Sequence, residues 1–388
     1  MTATGVRGSG VRHIGRVMPT ARRTVWCVGA GALLLGVTGC ATRAAAVGRL
    51  TPLREEINVE LSDPPLLTTS ALLDDDTLIV ADLRGGHIEL FDRKRGARLR
   101  EVGEVGTQRG GFTTPVRVFK TAGGYGVWDV GPKRVVIRFD RRWTFIDEER
   151  TYLSSDVPQP RRWDPSKAVL ALPGREVVLG YAAAALFSPP APGNAYLFSL
   201  AADDSRVPLA WFTAEGEAGL RQRLAVGYGG GALLALPDGG WLALVGGTFE
   251  FLRFDGDDRL VARWPGSQEV FAPPDIDSLP SAATNEALTS WWNRQVQVGG
   301  LVEIRPGRVG VLLVRPRPGG QGREAVLEVY DLTSHGLVSR YSVPAVIGRE
   351  SKVVFPSGGR GVASILVQDQ GAGLETKARY YEYALPRR

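Results

Sequence analysis

The stretch Thr77-Leu-Ile-Val-Ala-Asp82, followed by Gly85-Gly-His-Ile-Glu-Leu-Phe-Asp92, decides the fold of this chain. A second copy reads Gly126-Val-Trp-Asp129 and then Lys133-Arg-Val-Val-Ile-Arg-Phe-Asp140. In each copy a β-rich run ends in Asp, a tight turn follows, and a second β-rich run ends in Phe-Asp. The two Asp positions recur after 47 and 48 residues, a period that is typical of stacked or radial repeats.

Later segments keep the pattern of short strands and turns but change the closing residues. Phe198-Ser199, Phe254-Asp255 and Tyr330-Asp331 end the third strands of the third, fourth and fifth units. The sixth unit shows only three strands, and we expect Ile57–Leu61 to supply the fourth. This pairing would join the beginning of the fold to its end and leave no exposed sheet edge.

A glycine-rich linker connects the first two units and ends in Gly110-Gly111-Phe112-Thr-Thr-Pro115. This linker, with the repeated phrase on either side of it, resembles bacterial six-bladed β-propellers and the related NHL repeats over about residues 70–150. The resemblance implies an all-β fold, a six-bladed propeller over residues 57–386. Five or seven blades stay open at this point, because the third and sixth units keep less of the phrase.

The net charge of +6 is concentrated at the start of the chain. Residues 1–39 contain five Arg and no acidic residue, whereas the chain from Cys40 onward contains 42 basic and 41 acidic residues. A nearly neutral domain has no general electrostatic reason to bind nucleic acid, so we expect no nucleic-acid partner.

The first 39 residues have the pattern of a signal peptide, with Met18 as an alternative start. Arg22-Arg23 precede a 13-residue apolar run, which is shorter than the roughly 20 residues that a membrane-spanning helix needs. The run ends in Val37-Thr38-Gly39-Cys40, which resembles the bacterial lipobox. That resemblance implies cleavage before Cys40, a diacylglycerol on its thiol and an acyl chain such as palmitate on its amino group. An ordinary secretory signal with an incidental Cys is the alternative.

The residues after Cys40 bear on where the protein resides. Ala41 follows Cys40, and the resemblance to enterobacterial sorting then implies the outer membrane, if the cell has one. We interpret residues 40–56 as a tether. Cys27 would leave with the signal peptide and Cys40 would be acylated, so the mature chain would contain no disulfide, cysteine zinc site or thiol nucleophile.

Candidate site residues are few. The recurrent Asp positions have a structural interpretation, in which carboxylates accept hydrogen bonds from turn N–H groups. His87 and His335 alone are a poor supply for a propeller metalloenzyme, so we predict no metal site, no catalytic residue and no cofactor beyond the lipid on Cys40. Trp291 and Trp292 lie on a predicted helix over 281–296, where they either pack onto the propeller or contact a partner or the central funnel.

The sequence therefore predicts a membrane-anchored lipoprotein of the cell envelope. We expect its propeller to be a non-catalytic binding or scaffold module for an envelope protein, peptide or glycan. The alternative is a hydrolase or lyase that uses the central funnel. A third hypothesis is an assembly factor resembling the propeller lipoproteins of outer-membrane machinery, which usually have eight blades.

Overall fold

The repeated phrase folds into four-stranded antiparallel sheets that stand side by side in a ring. The structure, a computed structural model, describes residues 46–54, 56–59, 68–82, 85–133, 135–150, 164–181, 195–201, 206–211, 219, 230–280, 285–320, 322–359, 361–370 and 376–386. All of them belong to the unit Ala45–Arg388.

Two short strands, β1 (Ala46–Arg49) and β2 (Ile57–Val59), precede the first complete sheet. The sheets are called blades 1 to 6 in chain order. Blade 1 contains β3 (Thr68–Asp74), β4 (Thr77–Asp82), β5 (His87–Asp92) and β6 (Arg98–Val102). Blade 2 contains β7 (Pro115–Lys120), β8 (Gly124–Asp129), β9 (Val135–Asp140) and β10 (Phe145–Arg150). Blade 3 contains β11 (Asp164–Leu172), β12 (Arg175–Tyr181), β13 (Ala195–Ala201) and β14 (Arg206–Trp211).

The second half of the ring repeats this arrangement. Blade 4 contains β15 (Gly231–Ala235), β16 (Trp241–Val245), β17 (Glu250–Phe254) and β18 (Leu260–Pro265). Blade 5 contains β19 (Gln297–Arg305), β20 (Arg308–Pro316), β21 (Arg323–Asp331) and β22 (Leu337–Ile347). Blade 6 contains β23 (Lys352–Val354), β24 (Val362–Gln370) and β25 (Thr376–Ala384).

The blades form a closed ring of six. The first strand of each of blades 1 to 4 contacts the first strand of the next blade, and β19 of blade 5 contacts β24 of blade 6. The ring closes where β23 of blade 6 contacts β3 of blade 1. The fold is therefore an all-β, six-bladed propeller, as the sequence predicted, and the alternatives of five and seven blades are excluded.

The fourth strand of blade 6 comes from the beginning of the fold. Strand β2 pairs antiparallel with β25, with Ile57 opposite Tyr380 and Val59 opposite Ala378. The predicted closure by the segment that begins at Ile57 is confirmed, and the strand in the described residues is Ile57–Val59. Closure fixes the first and last strands of the ring to one another through backbone hydrogen bonds.

The tether predicted for residues 40–56 is wrong for residues 46–54. Strand β1 adds to blade 5 as a fifth, outermost strand parallel to β22, with Gly48 opposite Tyr341. After it, Leu50 is 3% exposed, and the guanidinium of Arg54 lies 2.8 Å from the carboxylate of Glu382 in β25. Residues 46–54 are therefore part of the fold, because this segment covers the outer edges of blades 5 and 6.

Strand β4 shows why the phrase is almost continuously apolar. Leu78 and Val80 pack in a cluster with residues of blade 6, whereas Ile79 and Ala81 pack in a cluster with residues of blade 2. A strand with a neighbouring blade on each face buries both sets of alternating side chains. Fully burying each Leu, Ile or Val side chain contributes roughly 1.5–3 kcal/mol, so the packing between blades supplies the core.

The antiparallel order of each blade defines two faces of the ring. The linkers between blades and the second hairpin of each blade lie on one face, called the linker face here, and the first and third hairpins lie on the other. Helix α1 (Asn285–Asn293) belongs to the linker between blades 4 and 5 and thus to the linker face. The prediction of a helix over 281–296 is confirmed for Asn285–Asn293 and is wrong for residues 294–296, which follow the end of the helix; residues 281–284 lie outside the described residues.

A glycine pair tests the closure. Gly96, in the third hairpin of blade 1, has φ +73°, and a Cβ there would lie 2.0 Å from the carbonyl oxygen of Asn58 in β2. Gly174 has the same φ, but a Cβ there would meet nothing within 4 Å. We expect Gly174→Ala to lower the free energy of unfolding by about 1 kcal/mol, the cost of a positive φ, and Gly96→Ala by about 2–3 kcal/mol, because overpacking adds to that cost.

Urea unfolding of both variants would measure this difference. Equal losses in the two variants would show that the Gly96 turn does not pack against β2.

Candidate functional site

The predicted lipidation residue, Cys40, lies outside the described residues. The first described residue after it, Ala46, begins strand β1. Lipidation of Cys40 stays a prediction.

The Asp residues of the aromatic-Asp pairs are turn-forming residues. In four blades one carboxylate oxygen of this Asp accepts two backbone N–H groups of the following hairpin, at 2.7–3.0 Å; the residues are Asp92, Asp140, Asp255 and Asp331. The aromatic residues before them are buried between blades; they are Phe91, Phe139, Phe254 and Tyr330. These contacts confirm the structural interpretation, and they explain why the backbone N–H of Thr144 lowers the pKa of Asp140.

The first Asp of each phrase lies on the linker face and is almost fully buried. Asp129 is 0% exposed and accepts hydrogen bonds from the N–H groups of Thr113, Thr114 and Gly131 and from the Thr113 hydroxyl. It therefore connects the linker between blades 1 and 2 to the second hairpin of blade 2. The carboxylate of Asp82, its counterpart in blade 1, lies 3.5 Å from Nε2 of His87.

His87 is the centre of a group of charged side chains between blades 1 and 6. Its Nε2 lies 3.7 Å from Oε1 of Glu89, and its Nδ1 lies 3.8 Å from Oε1 of Glu101. Arg98 Nη1 lies 3.2 Å from the same Glu89 oxygen and 3.7 Å from Glu101. Interaction with the Glu89 carboxylate raises the pKa of His87 to about 9 although burial opposes the shift, so the imidazole is protonated at neutral pH.

One atom each of His87, Glu89 and Glu101 lies within 4.8 Å of the others, a spacing at which these groups could hold a metal ion. The guanidinium of Arg98 and the imidazolium already place positive charge between the carboxylates, and we interpret the group as an ion-pair network. This network was not predicted from the sequence, because Asp82 faces His87 and Glu89 faces Glu101 only through strand pairing. The sequence signal for this network is that His87 and Glu89 are two residues apart on one strand, so that their side chains lie on the same face of the sheet.

His335, the other candidate, has a structural position in the third hairpin of blade 5. Its φ is +58°, and its ring stacks on Trp264 of blade 4 with centroids 4.2 Å apart. This stacking fixes the hairpin against the neighbouring blade.

Trp291 and Trp292 do not form an exposed surface. They are 0% and 7% exposed and belong to the core cluster of blades 3 and 4, with Trp241 and Leu197. The structure therefore supports the packing interpretation, and the rings are not accessible contacts for a partner. Trp291 Nε1 donates to the carbonyl of Asp275 and the hydroxyl of Ser278, at 3.1 and 3.0 Å, so the ring also fixes the preceding linker.

The opposite side of α1 contributes to a polar group over blades 5 and 6. Asn293 Nδ2 donates to the carbonyl oxygen of Glu350 at 3.4 Å, and Ser290 Oγ donates to the Glu350 carboxylate at 3.2 Å. The carbonyl of the next residue, Ser351, accepts a hydrogen bond from Arg323, the first residue of β21. Arg323 is 1% exposed, and this buried guanidinium makes the group the candidate binding site of the linker face.

Comparison with known proteins shows the fold alone. No family model and no curated protein matches the chain. A solved structure of a Bacteroides vulgatus member of the DUF4221 family is 8% identical, with a TM-score of 0.55 over 86% of this chain and 97% of that one. A protein of Bacteroides fragilis described as exported is 10% identical, with a TM-score of 0.50 over 87% of this chain and 98% of that one. A streptogramin B lyase, at a TM-score of 0.42 and 10% identity over 84% of this chain and 97% of that one, supports no functional comparison.

Among the described residues, no helix is long and apolar enough to span a bilayer.

Proposed function

We propose that this protein is an exported, lipid-anchored protein of the cell envelope whose propeller is a binding or scaffold module. The lipobox at Val37–Cys40 supports the anchor. Ala41 after the Cys supports the outer membrane in a cell that has one. The propeller supports a rigid display surface, since its core lies between blades and its two faces remain for loops.

The observation that carries this proposal is the position of strand β1, whose first residue is Ala46, on the outer edge of blade 5. Five residues separate Cys40 from β1, and a fully extended chain spans at most about 3.3–3.6 Å per residue. A lipid on Cys40 would thus hold the outer edge of blade 5 within about 20 Å of the membrane. An anchor this short restricts the orientations of the ring, which suits presentation of one surface to a partner in the same envelope.

The charged residues give less support to the alternative of a funnel hydrolase or lyase. Such an enzyme needs acids and histidines that are free to act on a substrate. In the described part of the chain the conspicuous acids accept hydrogen bonds from turns or form ion pairs, and His87 and His335 are held by carboxylates and by Trp264.

Substitution of the lipobox cysteine tests the anchor. We expect Cys40→Ser to abolish labelling by radioactive palmitate and to release the protein from washed membranes. Cys27→Ser is the matched control, because that cysteine would leave with the signal peptide and its loss should change neither result. Palmitate labelling that persists in Cys40→Ser would contradict the proposal.

Crosslinking in intact envelopes followed by co-purification tests the binding role. We expect the full-length protein to capture a defined envelope component. Turnover of a lactone or a glycan by the pure protein without a partner would instead support the enzyme alternative.

A further inference from the structure

The buried Arg323 guanidinium has more hydrogen-bond donors than the described residues supply acceptors for. It lies on the linker face between blades 5 and 6, and β21 residues on the same side, such as Ala325 and Leu327, pack against blade 6. Its Nη1 donates to the carbonyl of Ser351 at 3.1 Å. Within the described ranges its Nε and Nη2 have no hydrogen-bond partner, although buried polar groups in proteins are nearly always hydrogen-bonded.

In the part of the chain that the structure describes, no carboxylate forms an ion pair with this guanidinium, although the charge of Glu350 favours its protonated form. Burial lowers the pKa of Arg323 to about 10, so the guanidinium stays protonated at neutral pH. Glu350 is the nearby acid, but its carboxylate is half-exposed and is directed to Ser290 and Arg349. Asp369 is also close in the fold, but it interacts with Ser351 and Arg379. A buried charge without a counter-charge is costly, so an anion at this position would be strongly favoured.

The Nε and Nη2 atoms lie on one edge of the Arg323 guanidinium, and the geometry of this edge indicates which kind of anion would fit it. Arg263 uses its Nε and Nη2 to bind both carboxylate oxygens of Glu250, at 2.6 and 2.9 Å. Arg340 directs the same two atoms at a single carboxylate oxygen, Oε1 of Glu328, at 2.9 and 2.6 Å. Parallel N–H groups on this edge match two oxygens of one carboxylate or phosphate.

We propose that Arg323 is the anchor of a binding site for an oxyanion, a carboxylate or a phosphate group, held by Nε and Nη2. The proposal deepens the binding role given above by naming the charge of the ligand, and it does not depend on the lipid on Cys40. The linker that accepts the Nη1 hydrogen bond at Ser351 is itself held by α1 through Glu350.

The dimensions of the site restrict the ligand. A Cβ at Gly322, which precedes Arg323, would lie 2.9 Å from the carbonyl oxygen of Ile347, so the second hairpin of blade 5 lies close to the linker that leaves the blade. Arg323 itself is 1% exposed. The bound group is therefore a small oxyanion or the narrow anionic end of a larger molecule.

Thermal unfolding of the full-length protein in detergent tests this site. The midpoint is measured while sodium formate or sodium phosphate replaces sodium chloride at constant ionic strength. We expect a saturable rise in the midpoint with formate, with phosphate or with both, because a ligand that binds only the folded state stabilises it. A response to formate alone assigns a carboxylate ligand, and a response to phosphate alone assigns a phosphate ligand.

Substitutions of Arg323 test whether the anion-dependent rise in the unfolding midpoint depends on this side chain. We expect Arg323→Met to remove the saturable rise and Arg323→Lys to weaken half-saturation at least about tenfold, because an ammonium lacks the two-donor edge. Arg315→Met is the matched control, because Arg315 lies on the neighbouring strand of the same blade and pairs with Glu324. That variant should respond like the wild type.

The absence of a saturable response to either anion in the wild type would overturn the proposal, whether or not the variants fold. So would an equal response in Arg323→Met, or a crystal structure grown with both anions that shows only water at Nε and Nη2. None of these results would change the expected outcome of the Cys40→Ser experiment, so failure of the anion site and failure of the lipid anchor can be distinguished.

Discussion

Replacement of Asp129 by alanine is expected to lower the free energy of unfolding by about 3–4 kcal/mol. Asp129 is fully buried and accepts hydrogen bonds from the backbone of Thr113, Thr114 and Gly131. Hydrogen bonds to a charged group contribute roughly 1.5–3 kcal/mol each, and donors left without a partner add a desolvation cost. The estimate lies below the sum of three such bonds, because the donors are only partly buried and water can replace some of them.

Asp140→Ala is the matched control, because Asp140 ends the other strand of the same phrase in the same blade. Its carboxylate accepts N–H groups of Arg142 and Thr144 in a solvent-exposed hairpin. We expect a loss of about 1 kcal/mol there, since water can replace exposed hydrogen bonds. Asp129→Asn should be intermediate, because the amide keeps one acceptor oxygen. Urea unfolding would measure all three variants, and equal losses for Asp129→Ala and Asp140→Ala would contradict the buried role.

The contrast between these two aspartates shows what the sequence could predict. Both end a β-rich run before a turn, and this pattern was enough to predict strands, hairpins and a repeat of blades. It did not predict that Asp82 and Asp129, which hold the same place in the phrase, have different partners. The partners of Asp129 include the linker residues Thr113 and Thr114, whereas those of Asp82 include His87 across a strand pair. Such contacts depend on the registers of strands and linkers, which no single stretch of sequence contains.

Strand β2 could be predicted from the sequence, whereas strand β1 could not. Ile57–Val59 was predictable as the missing strand, because the sixth unit had three strands and its edge needed a partner. Strand β1 had no such requirement, since blade 5 already has four strands and β1 adds to it in parallel. The burial of Arg323 could not be predicted either, because a guanidinium at the start of a strand is usually solvated. Only the packing of blade 6 and the linker at Ser351 makes it a buried charge.

Replacement of Trp291 by alanine is expected to lower the free energy of unfolding by about 4 kcal/mol. The ring is 0% exposed and packs in the core cluster of blades 3 and 4, where removal of a large aromatic side chain typically costs 3–5 kcal/mol. The variant also loses the hydrogen bonds from Nε1 to Asp275 and Ser278, which hold the linker before α1. Trp291→Phe should cost less, about 1–2 kcal/mol, because it keeps most of the apolar contacts and loses the N–H donor.

Trp211→Ala provides the control, because Trp211 lies on the outermost strand of blade 3 and is 44% exposed. We expect that change to stay within about 1 kcal/mol, since surface substitutions usually have small effects. Urea unfolding and co-purification from envelopes would be measured on the same variants. A Trp291→Ala protein with wild-type stability that captures no envelope component would restore the partner-contact interpretation. Lower stability with retained capture would place the binding surface elsewhere on the ring, because α1 would then serve to secure the linker between blades 4 and 5.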